Sequence, residues 1–267
     1  MTIRNGSAPN GGGISNSGTL TLSNSTISGN FSINGGAGGG IANYGPLTID
    51  KSTISGNRAA NGGGIFFQSG SVLTVINNST IGGNGAATVG GGISNRIGNL
   101  AINNSTISGN SAGQGGGIEN GNSISVSTLM ISNSTVGGNS AVESGGIYNF
   151  SGSTAAFQNS IDANASGNCF GVITSKGPNL SSDQTCNFKS SGDLNNTNPQ
   201  LGSLQNNGGP TQTMALPSGS PAVDAGNPNG CTDQTGHLLK TDQRGKPRPD
   251  PEDTGGCDIG AYERQSD

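Results

Sequence analysis

The side chains whose types could do chemistry together lie near the C-terminus: Asp224, Asp242, Arg244, Asp258 and Glu263. If they converge, Asp224, Asp242, Asp258 and Glu263 offer the hard oxygen ligands that calcium takes, and Asp224 with Asp242 could serve as a catalytic acid and base. The same residues can instead form buried ion pairs and turn caps that lock loops in place. That is the reading we adopt, because a capping region needs such fixed loops. His237 is the only histidine and has no Ser or Cys nucleophile motif near it, so it reads as an exposed structural residue. The cysteines are Cys169, Cys186, Cys231 and Cys257. None has metal-type spacing, so two disulfides are expected, and Cys169–Cys186 with Cys231–Cys257 is one of three connectivities. Disulfides imply an oxidising, extracytoplasmic compartment.

A second set of chemically useful groups is uncharged. Thr26/Ser28, Thr53/Ser55, Thr80/Gly82, Thr106/Ser108 and Thr135/Gly137 would make a flat hydroxyl strip along one strand face. Such a strip is similar to the Thr-x-Thr faces of ice-binding solenoids, although small hydroxyl residues also suit exposed strands for ordinary reasons. Asn24-Ser25-Thr26, Asn78-Ser79-Thr80, Asn104-Ser105-Thr106 and Asn133-Ser134-Thr135 are formal glycosylation sequons. Their recurrence in register, like that of Asn30, Asn57, Asn84, Asn110 and Asn139, points instead to stacked asparagine ladders.

What positions these residues is a repeat. Gly11-Gly12-Gly13-Ile14 returns at Gly38, Gly62, Gly90 and Gly115, and degrades to Ser144-Gly145-Gly146-Ile147. Each copy is followed by an apolar-Thr-apolar triplet and an Asn-Ser-Thr-Ile-Ser-Gly-Asn phrase, a period of about 24 to 29 residues that marks stacked units. The triplets are corners rather than phosphate loops, since no Lys-Ser/Thr follows. Calcium β-roll repeats would need an Asp in each turn and are excluded. Alternation puts Leu20, Leu22 and Ile27 inward. The later coils repeat this with Ile65, Leu73, Val75 and Ile81 in the third and Ile147, Ala155, Phe157 and Ile161 in the sixth. Three short strands per turn and no helical periodicity predict an all-β, right-handed parallel β-helix of about six to seven coils. Corner insertions are expected at Gly85–Val89 and Gly121–Ser127.

Composition agrees. Fifty glycines supply turns, and the formal charge of −4 is too small for a disordered chain with so strict a period. Eleven basic against fifteen acidic residues, with no basic stripe, disfavour nucleic acid. No apolar run is long enough to span a membrane. Met1–Gly6 reads like the end of a strand already under way, so upstream sequence and an export signal outside this chain are expected, and an open first coil could stack head to tail on another copy. Residues 1–168 form the repeats and 169–267 a last irregular coil and a capping region. Within the latter, Lys240–Asp253 is a charged loop, and the whole tail is the candidate cover for the open end of the stack.

The coils resemble the right-handed β-helix repeats of bacterial surface and secreted proteins, including the Gly-rich repeats of polymorphic outer-membrane proteins. The tail resembles the choice-of-anchor Q domain through Pro199-Gln200-Leu201-Gly202, Asn206–Thr211, Gly219–Gly226, Asp242-Gln243-Arg244-Gly245 and Asp258–Glu263. The resemblance implies an extracellular or cell-surface location and a signal following the domain, whereas this chain ends at Asp267. It carries no defined activity. A structural, adhesive or glycan-binding role without catalysis is therefore expected, with polysaccharide or other surface components as partners. The alternatives are a polysaccharide lyase or glycoside hydrolase, and an ice-binding or self-assembling solenoid. A catalytic site on the repeats is not expected, because Asp50 is their only aspartate before residue 160.

Overall fold

The computed structural model describes residues 1–251 and 256–265. Glu252 and Asp253, at the end of the expected charged loop, lie outside them. Among the described residues the secondary structure is entirely strand, wound into a right-handed parallel solenoid of about six turns. Each turn passes through four strand runs rather than the expected three. One row holds the Thr-Ile-Ser strands, from Thr2–Arg4 to Leu180–Ser181, and a second the short strands from Ser7–Ala8 to Ser140–Glu143. The other two rows, Ile-x-Asn and Leu-Thr-Leu, share one wide sheet because Ile65–Asn77 and Ile93–Asn103 run through both. Gly85–Val89 is thus a member of the short-strand row, and the expected insertion amounts to one extra residue held as a bulge within it.

Successive coils can stack only where side chains let the backbones meet. At Gly90 the backbone is left-handed, with φ of 64°. At Gly91 a Cβ would lie 2.4 Å from the Gly116 carbonyl oxygen and 2.5 Å from that of Ser111. The glycines therefore both turn the chain and admit the neighbouring coils.

Polar ladders hold the other corners. Asn30, Asn57, Asn84, Asn110, Asn139 and Asn164 each receive a bond at Oδ1 from the backbone N–H of the asparagine before or, for Asn30, of Gly6. Side-chain amides join the same chain at 2.9–3.0 Å. A serine ladder runs beside it, Ser25 to Ser52, Ser79, Ser105, Ser134 and Ser160. The sequon asparagines Asn24, Asn78, Asn104 and Asn133 sit at left-handed corners with φ of 47–49° and also pair across coils, as Asn104 does with Asn78. A third ladder, Asn95–Asn120–Asn149, follows the Ile-x-Asn row inside the stack.

The interior is a column of Ile27, Ile54, Ile81, Ile107 and Val136 faced by the isoleucines and leucines of the wide sheet. Two inward positions differ from the alternation. In the third coil Thr74, not Leu73 or Val75, pairs with Leu100 and points inward, and Leu73 is 54% exposed. In the sixth, Ile161 pairs with Thr135 and faces outward, so that Asp162 takes the inward place beside Val136. A slip of one residue exchanges the faces because the side-chain period is two.

The tail is divided. Ile173, Cys186 and Phe188 close the C-terminal end against Phe157, with Cys169 bonded to Cys186. From Leu201 onward the chain does not cap that end but returns along the flank as an arm, stapled by Cys231–Cys257. Ile161 joins Leu180, Leu216, Ala222 and Ile259 in a second core beneath the arm.

Replacing Asn110 by Ala would strand the backbone N–H and the side-chain amide of Asn84, remove the donor to the Ile81 carbonyl and take one of two donors from Asn139 Oδ1, at a cost of about 2–5 kcal/mol. Chemical denaturation should show the midpoint falling with an unchanged slope. Thr74→Val should do the opposite. Thr74 Oγ1 is buried without a partner, and its removal is expected to raise stability by about 1 kcal/mol.

Candidate functional site

The arm settles the fate of the hydroxyl strip. Thr106 Oγ1 donates to Gln243 Oε1 at 2.6 Å, Thr80 Oγ1 donates to the Gln212 carbonyl at 2.6 Å, and Thr135 Oγ1 accepts from the Ala261 N–H at 3.1 Å. Thr80, Thr106, Ser108 and Thr135 are consequently buried, while Thr26, Ser28, Thr53 and Ser55 stay half-buried. A continuous exposed strip is thereby corrected: the same hydroxyls that suit an open strand face also bond a second layer of chain.

The tail carboxylates are brought together as a locking network. Asp242 accepts from Arg244 Nε at 2.7 Å and from the backbone N–H groups of Arg244, Lys246 and Glu263. Glu263 Oε2 accepts from Arg248 Nε at 2.8 Å and the Asp258 N–H at 3.0 Å. Asp258 receives the N–H groups of Asp224 and Arg264, and Asp224 itself is exposed. Burial pushes Asp258 up to about 6 and Glu263 up to about 7, with Arg248 opposing. His237 lies in a loop with its ring open to solvent and Nδ1 2.7 Å from Thr235 Oγ1.

A more suggestive constellation stands on the coils, at the outward positions of the Ile-x-Asn row. Phe66, Ser94, Glu119, Tyr148 and Phe170 are in register on five consecutive coils, about 4.8 Å apart. They alternate with the inward Ile and Asn ladder, yet Ser94 and Glu119 are at most 1% exposed, and exposure rises to 51% at Phe170. The Tyr148 and Phe170 rings stack at 4.4 Å, and Phe150 meets Tyr148 edge-on at 4.9 Å. Arg96 lies 6.0 Å above the Phe66 ring, and its NH2 approaches Asn61 at 3.5 Å. Across the glycine corner, Gln114 donates to Glu143 at 2.7 Å.

The two glutamates differ in environment. Burial drives Glu119 up to about 7 against the opposing Ser94 hydrogen bond of 2.5 Å and the charge of Arg96. Burial also raises Tyr148, with the Glu143 charge adding to it. Glu143 and Phe170, both exposed, can meet a polyhydroxylated ligand by hydrogen bonding and by ring contact, while Ser94 and Glu119 lie beneath the surface. A count confined to aspartates missed this row. The signal was the appearance of Glu119, Tyr148 and Phe66 at the position that Ser15 and Ala42 hold in the first two coils.

The strand rows, corners and ladders define a right-handed parallel β-solenoid. Residues 2–189 match the family described as right handed beta helix region, and the chain belongs to it. The match ends at Lys189, before the flanking arm. No curated protein and no solved structure matches the chain. The family fits a surface or polysaccharide-related role in general terms.

Glu119 gives a test of this environment. Its folded value lies above the ordinary 4.5, so the folded chain retains a proton that the unfolded chain has lost. Stability should therefore fall as pH rises from 4.5 to about 7 and level off above. Thermal denaturation of Glu119→Gln should show a shallower decline, the remainder coming from Asp258 and Glu263, and should leave the variant the more stable one at pH 8 by up to about 3 kcal/mol.

Proposed function

We propose that this protein is a secreted or cell-surface β-helix that binds polysaccharide along the Phe66–Phe170 row. The observation that carries the reading is the row itself: five registered side chains that run from the buried Ser94 and Glu119 to two stacked rings, of which Phe170 is exposed. Consecutive coils repeat at about 4.8 Å, so an extended glycan lying along the axis would meet several coils at once. The two disulfides support an extracytoplasmic location, and the likeness of the arm's text to the choice-of-anchor Q domain supports attachment at a bacterial surface.

Isothermal titration against a panel of neutral and acidic polysaccharides tests the reading. Binding is expected, weakened about tenfold by either Tyr148→Ala or Phe170→Ala. An absence of binding across the panel, or affinity untouched by both substitutions, would remove the proposal. Product analysis of the same mixtures, with and without calcium, distinguishes retention of the glycan from its cleavage.

A further inference from the structure

Asp162 is a carboxyl in a place built for an alkyl group. It is fully buried and occupies the inward position that Ile27, Ile54, Ile81, Ile107 and Val136 hold in the preceding coils. One of its oxygens has an evident task. Oδ1 accepts from the side-chain amide of Asn164, a member of the long ladder whose backbone N–H goes on to Asn168 Oδ1.

The other oxygen has none of this kind. Oδ2 lies 3.3 Å from Cys169 Sγ and 3.6 Å from Cys186 Sγ. Bridged sulfurs carry no hydrogen, so in the oxidised protein Oδ2 faces two atoms that cannot donate to it. The second disulfide is environed differently: Asn159 Nδ2 donates to Cys231 Sγ at 2.8 Å, and the Asp258 carbonyl is 3.8 Å away. A carboxyl therefore faces the sulfurs at one bridge and an amide donor at the other.

The sulfur–oxygen spacing at the first bridge is that of a metal site, and reduction would have to part the two sulfurs from their bonded separation to about 3.8 Å. Tetrahedral zinc holds sulfur at about 2.3 Å and carboxylate oxygen at about 2.0 Å, which separates ligand atoms by roughly 3.3–3.8 Å. Both sulfur–oxygen distances fall in that interval, and the three ligand atoms lie within 4.8 Å of one another. A cavity of about 470 Å³, lined in part by Thr185, Cys186 and Lys189, borders the bridge on its Cys186 side.

We propose that Asp162, Cys169 and Cys186 form a redox-gated site for a thiophilic divalent cation such as zinc, closed while the disulfide stands and created when it is reduced. A dithiol supplies the two electrons and two protons and ends as its own disulfide, leaving two cysteine thiols. The cation then binds two thiolates and the carboxylate, releasing to solvent the protons those groups carried, with the fourth position left to water. The site is independent of the glycan-binding row.

Cobalt(II) titration of the full chain, before and after reduction with a phosphine, is the test. The reduced chain should bind one cobalt per molecule with a thiolate-to-metal charge-transfer band, and the oxidised chain none. A Cys231→Ala, Cys257→Ala double variant should keep the band. Asp162→Asn and Asp162→Val, the latter restoring the aliphatic column, should each weaken cobalt at least about tenfold, as the loss of one ligand requires. Far-UV circular dichroism reports whether the solenoid persists. The proposal fails if the reduced, folded chain gives no band, if both Asp162 variants bind like the parent, if the oxidised chain binds equally, or if reduction melts the solenoid.

Discussion

The structure depends on how closely one coil can approach the next. Parallel strands 4.8 Å apart require that every corner, not only every strand, satisfy its backbone against the neighbouring turn. Two devices meet this demand. At the glycine corners no side chain intervenes, and the N–H of Gly91 bonds the carbonyl of Gly115 while that of Gly92 bonds Gly116 and Gly117. At the opposite corners the Asn30–Asn164 ladder bonds the backbone and its own neighbours at once. Such ladders replace much of what a larger apolar core does elsewhere, and they let a chain that is only 29% hydrophobic fold into a column whose isoleucines are fully buried.

Strict stacking leaves few places for variation, and the exceptions fall where the chain does something other than repeat. Phe67 replaces the inward asparagine of the third coil. Ser94, Glu119 and Tyr148 diversify one outward row. Asp162 interrupts the aliphatic column beside the Asn164 rung of the long ladder. Each substitution keeps the backbone register and alters only what the side chain presents, so the scaffold tolerates chemistry at outward positions at little cost and at inward positions only with a partner supplied.

The flanking arm illustrates the same economy. Its own strands are two residues long, and it is held by side-chain bonds to hydroxyls and corner asparagines, by the Arg248–Glu263 pair at 2.8 Å, and by one small apolar cluster. Gln243 alone touches Ser79, Thr80, Thr106 and Thr211. Arg248, which bonds both Glu263 and Asn104, ties the arm's carboxylate network to the solenoid corner. The tail carboxylates are thereby part of how the arm is attached.

The repeat determined a great deal by itself. Its period specified a solenoid, its glycines and asparagines specified the corners, and alternation placed Leu22, Ile49, Leu100 and Ile131 inside, because these features act within one coil or between adjacent coils of nearly equal text. What only tertiary structure decided involves contacts with no counterpart in the repeat. The Thr74 and Ile161 faces are set by pairing with Leu100 and Thr135 across coils. Burial of Thr80, Thr106 and Thr135 is set by an arm more than a hundred residues distant in sequence. The raised pKa of Glu119 comes from a burial that its polar neighbours in sequence gave no sign of, since desolvation depends on what surrounds a group in space.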